Sequence, residues 1–287
     1  MSIAALLFIQ RNKLLKFPHH ICIEGKKTAI VVGGSSGIGC ETCSKLINRG
    51  WNVVNISRTK CKISKVKNEI ADVVAGSTLS DVITRIGESC DSIDALIYSA
   101  GFSMAAPIEY AKESDYRYLF DVNFFGALKA MQAVIPYMKV RGGKIILVGS
   151  LGGELPILFD SFYSASKAAL EMLAREAYIE LKHYNIKVTA FLPGGTRTEF
   201  TFKRKIYSED ENKSYSQNVG RAVDALADIE QRGMLPSEVA DGILKIIYSD
   251  KPPVVKVSGF KNSAYRIMSH IMPEKVTLYL DNRMYRQ

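Results

Sequence analysis

The apolar positions of this chain fall into two alternating periods. Five short runs, Thr28–Val32, Asn52–Ile56, Ile93–Tyr98, Lys144–Val148 and Ile186–Leu192, are apolar on both faces, the pattern of strands buried inside a parallel sheet. Between them, Ile38–Arg49, Asp115–Met138 and Ser164–His183 repeat apolar residues at helical spacing. Glu69–Val73 and Val254–Val257 are weaker strand candidates. The alternation predicts an α/β fold, a doubly wound (Rossmann) parallel sheet with helices on both faces, in a single domain. No Pro/Gly/Ser-rich linker divides it, and no repeat is visible.

Within that frame, residues 1–25 read as an N-terminal extension, 26–258 as the α/β domain and 259–287 as a capping segment. The stretch 200–235 is polar, charged and without a clean period. It follows the last central strand, and loops beyond strand carboxyl ends build the ligand crevice of such sheets. It is expected to form a substrate lid, with a solvated surface excursion as the alternative.

Composition narrows the class. With 287 residues, 47% apolar and 23% charged, the chain is neither disordered nor low-complexity, and it is long enough to bury a core without disulfides. The net charge of +9 lies at the ends: residues 1–30 carry +4, residues 251–287 carry +5, and the body between them is neutral. No basic run interleaved with aromatics points to nucleic acid. The basic ends are either solvated or touch anionic lipid as a peripheral contact. The apolar run Ile3–Ile9 is too short to span a membrane, and Arg11 and Lys13 follow it rather than precede it. Five cysteines, an odd count, point to a reducing, cytoplasmic compartment, with membrane association left open. Cys40 and Cys43 form C-x-x-C inside a helical stretch, read as two small packing residues or, alternatively, a redox pair. The four histidines lack metal-ligand spacing, so no metal is expected.

The glycine-rich run Gly33-Gly34-Ser35-Ser36-Gly37-Ile38-Gly39 sits between the first strand and the first helix. Glycines let the backbone turn sharply and approach a pyrophosphate, whose charge is met by amides at the helix N-terminus. The same letters match G-x-S-x-G, a serine-hydrolase nucleophile elbow, with His183 or His270 as nominal partners. That fold, however, places its elbow deep in the sheet, not in the first strand–helix unit.

Tyr163 and Lys167 are spaced i, i+4 and share one helical face. An ammonium beside a phenol stabilises phenolate and is expected to lower the Tyr163 pKa toward working pH, as general acid–base catalysis requires. Ser150 ends the preceding strand, where its hydroxyl can bond the carbonyl oxygen that Tyr163 protonates. Asn123 lies inside a long helix, an unfavourable place for an amide unless it has a polar role.

In this order, these residues resemble the short-chain dehydrogenase/reductase family from Lys26 to about Val257. Its Y-x-x-x-K matches Tyr163-Ser164-Ala165-Ser166-Lys167, its catalytic Ser matches Ser150, and its tetrad Asn matches Asn123. Its P-G-x-x-x-T matches Pro193 to Thr198, implying that Pro193, Gly194, Thr196 and Thr198 meet the nicotinamide end. The resemblance further implies that Gly33, Ser35, Ser36, Gly37, Ile38 and Gly39 cradle the pyrophosphate. Asp72 would lie beside the adenine, and Ser99, Ala100 and Gly101 along the cofactor, while Asn123, Tyr163 and Lys167 serve both cofactor and catalysis. It also implies a homodimer or homotetramer paired through the helices over 115–138 and 164–183.

Two departures stand out. Val32 replaces the family's first Thr and Tyr98-Ser99-Ala100-Gly101 replaces N-N-A-G, so packing is expected to replace a hydrogen bond there. The segment 58–69 is short, so the helix after the second strand is expected to be missing. Where NAD-preferring members place a carboxylate on the ribose, this chain has Ser57 followed by Arg58, whose guanidinium can pair with a 2′-phosphate. NADP(H) is the expected cofactor.

The stretches Phe102–Glu109, Asn123–Gly126 and Pro193–Phe200, with the tail 257–273, resemble the hydroxysteroid and retinol dehydrogenase branch. The function implied is an NADP(H)-dependent interconversion of a ketone and a secondary alcohol on a bulky apolar, lipid-like substrate. A small or acyl carbonyl substrate stays open, because Arg197 and Lys203-Arg204-Lys205 could supply basic groups. So does a non-catalytic NADP-sensing protein, which would need none of the four catalytic side chains.

Overall fold

The computed structural model describes Cys22 and residues 25–285 of the chain. In chain order the main elements are β1 (Thr28–Val32), α1 (Gly37–Asn48), β2 (Asn52–Ser57), β3 (Lys67–Ile70), α2 (Thr78–Ser89), β4 (Ala95–Tyr98) and β5 (Met104–Ala105). They continue with α3 (Glu113–Phe120), a π-helical turn over Asp121–Phe125, α4 (Gly126–Met138), β6 (Gly143–Val148) and α5 (Ser161–Glu180). The last are β7 (Ile186–Leu192), β8 (Lys205–Ile206), α6 (Ser216–Gln231), α7 (Pro236–Tyr248), β9 (Val255–Val257), α8 (Phe260–Ile271) and α9 (Glu274–Met284).

Seven strands form one parallel sheet in the order β3-β2-β1-β4-β6-β7-β9. Connections run outward to one side from β1 and then to the other from β4, so the order reverses between these two strands, where open α/β sheets bind ligands. All five residues of β1 and all six of β2 are buried, which explains why their sequences read as apolar on both faces. One apolar layer, including Ile30, Leu96, Val134 and Leu170, lies under α2, α4 and α5. The opposite layer, including Val31, Leu46, Phe191 and Ile243, lies under α1 and α7.

Several elements differ from the sequence expectation. β3 covers Lys67–Ile70 rather than Glu69–Val73, since its residues are only half covered and carry little apolar signal. No helix stands between β2 and β3, as the short segment implies. The segment 200–235 is largely helical, ending in α6 and tied to the body by the two-stranded pair β5–β8. The expected helix over 115–138 is interrupted by the π-turn. Tyr98 Oη donates to the Val122 carbonyl in that turn at 2.5 Å, and a Cβ on Gly126 would lie 2.3 Å from the same hydroxyl.

Cys22 and Cys90 are joined in a disulfide across a separation of 68 residues, a pairing with no local sequence signal. Cys40, Cys43 and Cys61 are free, and the Cys40 and Cys61 sulfurs lie 3.9 Å apart. The C-x-x-C pair therefore packs on α1 with a third thiol that its spacing did not reveal. Among the described residues no helix is long and apolar enough to cross a membrane.

Candidate active site

The carboxyl ends of β1, β2, β3, β4, β6 and β7 open onto one crevice. After β1 the chain turns through Gly33, whose φ of +85° suits glycine and where a Cβ would come 2.6 Å from the Ala100 amide nitrogen. Gly39 packs equally closely, since its Cβ would meet the Gly33 carbonyl oxygen at 2.3 Å. No side chain caps the N-terminus of α1, which leaves its first amides to face the crevice. An anion placed there meets both those amides and the positive end of the helix dipole. The residues present therefore fit a dinucleotide pyrophosphate.

One continuous cavity of about 930 Å³ runs from Arg58 and Asp72 at one end to Tyr265 and Tyr285 at the other. Of the catalytic and cofactor-binding residues expected from the sequence, Gly39 and Asn123 stand outside its lining and all the others line it. Arg58 is exposed beside Ser57, whose Oγ donates to the Thr59 carbonyl at 2.7 Å and fixes the bend after β2. Val32 is fully buried, and its carbonyl accepts from Ser99 N at 2.8 Å, so strand packing holds the β1–β4 junction.

At the cavity's centre, Ser150 lies two residues past the end of β6, with its Oγ accepting from Gly152 N at 3.0 Å. Tyr163 is buried beside Ser150. Lys167 is buried, donates to the Val148 carbonyl at 2.9 Å, and sits 5.7 Å from the centre of the Tyr163 ring. Burial pushes the Tyr163 phenol above its ordinary value, opposed by the neighbouring Ser150 hydroxyl, and Asp160 and Glu230 push it further. Burial likewise lowers Lys167 to about 8. The net shift of Tyr163 is therefore upward rather than the lowering expected from Lys167, because burial dominates.

Asn123 is fully buried in the π-turn. Its Oδ1 accepts from Phe102 N, and its Nδ2 donates to Phe102 O and Ser166 Oγ, each at 3.0 Å. Ser166 Oγ in turn donates to the Tyr163 carbonyl at 2.7 Å. The amide thus ties the chain after β4 to the turn of α5 that carries Tyr163.

The far end of the cavity was not legible from local sequence. Phe102, Tyr118, Leu155, Ile157, Phe200, Leu226, Ile229 and Met284 give it an apolar wall. Set into that wall are Asp160, Glu230 and Asp281, drawn from three distant segments. Arg204, buried outside the cavity, holds two of them: its Nη2 lies 2.7 Å from Glu230 Oε1, and its Nε lies 3.9 Å from Asp160 Oδ2 and donates to Ser103 Oγ at 2.8 Å. Burial raises the Asp160 carboxyl to about 7 even so.

Comparison with known proteins agrees with this geometry. The family model described as short chain dehydrogenase matches residues 27–206. The 3-ketodihydrosphingosine reductase of Bacteroides thetaiotaomicron is 33% identical over 78% of this chain and 84% of its own. Human retinol dehydrogenase 8 is 26% identical over 83% of each chain. A solved short-chain dehydrogenase from Streptomyces avermitilis superposes with a TM-score of 0.77 at 27% identity, covering 89% of this chain and 96% of that one. The chain belongs to the short-chain dehydrogenase family of oxidoreductases.

Proposed function

We propose that this protein is an NADP(H)-dependent reductase of bulky apolar ketones, interconverting them with secondary alcohols. The observation that carries the reading is the Ser150–Tyr163–Lys167 group, its Tyr and Lys buried, opening directly onto a largely apolar chamber. Two relatives are named for ketodihydrosphingosine and for retinol, both lipids, which supports the substrate class. Three of the four basic groups that could have served a small or acyl substrate are paired within the protein. Arg204 is buried against Glu230, Lys203 pairs with Glu199 at 2.7 Å, and Lys205 pairs with Asp115. For the cofactor, Arg58 stands at the adenosine end, and no carboxylate occupies the Ser57 position to repel a 2′-phosphate.

When bound, the nicotinamide cofactor supplies or accepts the hydride. Tyr163, held as the neutral phenol by its burial, donates a proton to the carbonyl oxygen in reduction. Ser150 holds that oxygen in place. Lys167, with one N–H spent on Val148 O, keeps two for the cofactor ribose. Asn123 acts as a positioning residue through Ser166. The long helices expected to pair two protomers carry Phe125, Met172 and Ile179 exposed, which supports a homo-oligomer.

The test is NADPH consumption across steroid, retinoid and long-chain ketones against short ketones, sugars and acyl thioesters. Turnover should concentrate in the first group, and Tyr163→Phe should abolish it while leaving NADPH binding intact. Turnover confined to the small polar compounds would refute the substrate class, and undiminished reduction by Tyr163→Phe would refute the mechanism.

A further inference from the structure

The two C-terminal helices are amphipathic the wrong way round for a protein surface. Not one residue of α8 is buried, and the side it turns to the body is polar. Asn262 Nδ2 donates to Ser258 O at 2.7 Å, Arg266 pairs with Glu154 at 2.7 Å, and Tyr265 bonds Asp281. Its apolar residues recur at Phe260, Ala264, Ile267, Met268 and Ile271, the spacing of one helical stripe, and that stripe faces out. Phe260 is 87% exposed, Ile271 78% and Ile267 61%. In α9 the same inversion buries Thr277 and Asp281 while leaving Val276, Leu278 and Tyr279 exposed.

Charge identifies what this face fits. Between residues 256 and 285 the exposed ionised side chains are Lys256, Lys261, Lys275 and Arg283 against Glu274 alone. An apolar stripe with a basic border is the composition of a helix lying in the plane of an anionic bilayer. A second copy would bring the same basic border against itself. Residues 1–30 carry net positive charge as well, so they too are repelled rather than attracted. The inner sides of α8 and α9 meanwhile supply Asn262, Tyr265 and Asp281 to the cavity wall, which Lys261 at its edge and Tyr285 just after α9 also line.

We propose that the outer face of α8 and α9 is a docking surface for an anionic lipid bilayer, seating the substrate end of the cavity at the headgroup layer. The surface stands on exposure and charge and does not depend on the substrate assignment. If that assignment also holds, an apolar ketone partitioned in the bilayer reaches the chamber without crossing water.

The full chain should co-sediment with phosphatidylcholine vesicles containing phosphatidylglycerol, more weakly with phosphatidylcholine alone, and less as salt is raised. Ile267→Glu with Ile271→Glu should lower the partition coefficient at least about tenfold. Neither side chain lines the cavity, so NADPH binding and thermal melting should stay unchanged. Lys275→Glu with Arg283→Glu provides an independent charge variant, expected to lose the preference for phosphatidylglycerol. Vesicle binding that is absent, or equal in all variants, overturns the proposal. So does binding lost on removing residues 1–21 but retained in both face variants. Conversion of an oligomer to monomers by the Ile267/Ile271 variant, without any vesicle binding, would assign the face to a second copy and overturn it as well.

Discussion

Asn123→Ala is the sharpest probe of the site, because the asparagine touches the chemistry only through other residues. The substitution removes three hydrogen bonds of 3.0 Å and strands the Phe102 N–H and carbonyl beside the π-turn. At about 1 kcal/mol net for each, the expected loss of stability is about 3 kcal/mol. In a chain of this size that lowers the melting temperature by roughly 6–12 °C. Asn123→Asp sharpens the test: it keeps an acceptor for Phe102 N but turns a second oxygen toward Phe102 O. It should therefore cost at least as much as alanine at neutral pH. Differential scanning fluorimetry gives the melting temperatures, and NADPH consumption gives turnover per folded molecule at a temperature below both transitions. Because Ser166 links the amide to the Tyr163 turn, kcat should fall at least about tenfold while KM for substrate changes little. An unchanged melting temperature would refute the three-bond staple. A lowered melting temperature with full turnover would refute the positioning role.

Arg58→Ala should weaken NADPH binding by about tenfold to a hundredfold, the range for a charged hydrogen bond, with NADH little affected. Equal losses in a fluorescence titration would show that Arg58 does not read the 2′-phosphate. Arg204→Met should destabilise the fold by about 3–5 kcal/mol, because it leaves Asp160 and Glu230 buried without their cation. Adding Asp160→Asn and Glu230→Gln should recover part of that loss in urea unfolding, and no recovery would show that the charge cluster is not the cause. Lys167 predicts opposite signs for activity and stability above pH 8. Its ammonium is lost as pH passes about 8, so turnover should fall there. The unfolded chain still holds that proton up to the ordinary lysine value of 10.5, so this residue's contribution to stability should rise across the same window. Lys167→Met should flatten that rise, and a wild-type profile in the variant would overturn the assignment.

The parts legible in the sequence were those whose local pattern reflects one environment. β1 and β7 fall on the runs expected for them, because strands covered on both faces have no polar register to blur their ends. The glycine turn and the Tyr163/Lys167 pair were visible because each depends on contacts within one strand–helix unit. The π-turn was not, since one extra residue in a helical ring leaves the apolar period of 115–138 nearly intact. The segments beyond 200 were obscured for another reason. α8 and α9 put their polar residues inward, which defeats any reading that takes apolar as buried. The acidic residues of the chamber come from positions 160, 230 and 281, and no spacing rule joins side chains so far apart.

The continuous cavity also has a consequence for how such a protein can change. The wall that meets the dinucleotide is written almost wholly between residues 33 and 198, nearly all of it within the reach of the family model. Much of the opposite wall is written after residue 200, including Leu226, Ile229, Tyr265 and Tyr285. Mutations accumulating in that later third of the gene can reshape the far wall while leaving Ser150, Tyr163 and Lys167 in place. The two halves of the crevice can therefore vary separately along the gene, and exchanging that third between relatives would exchange the far wall as a unit.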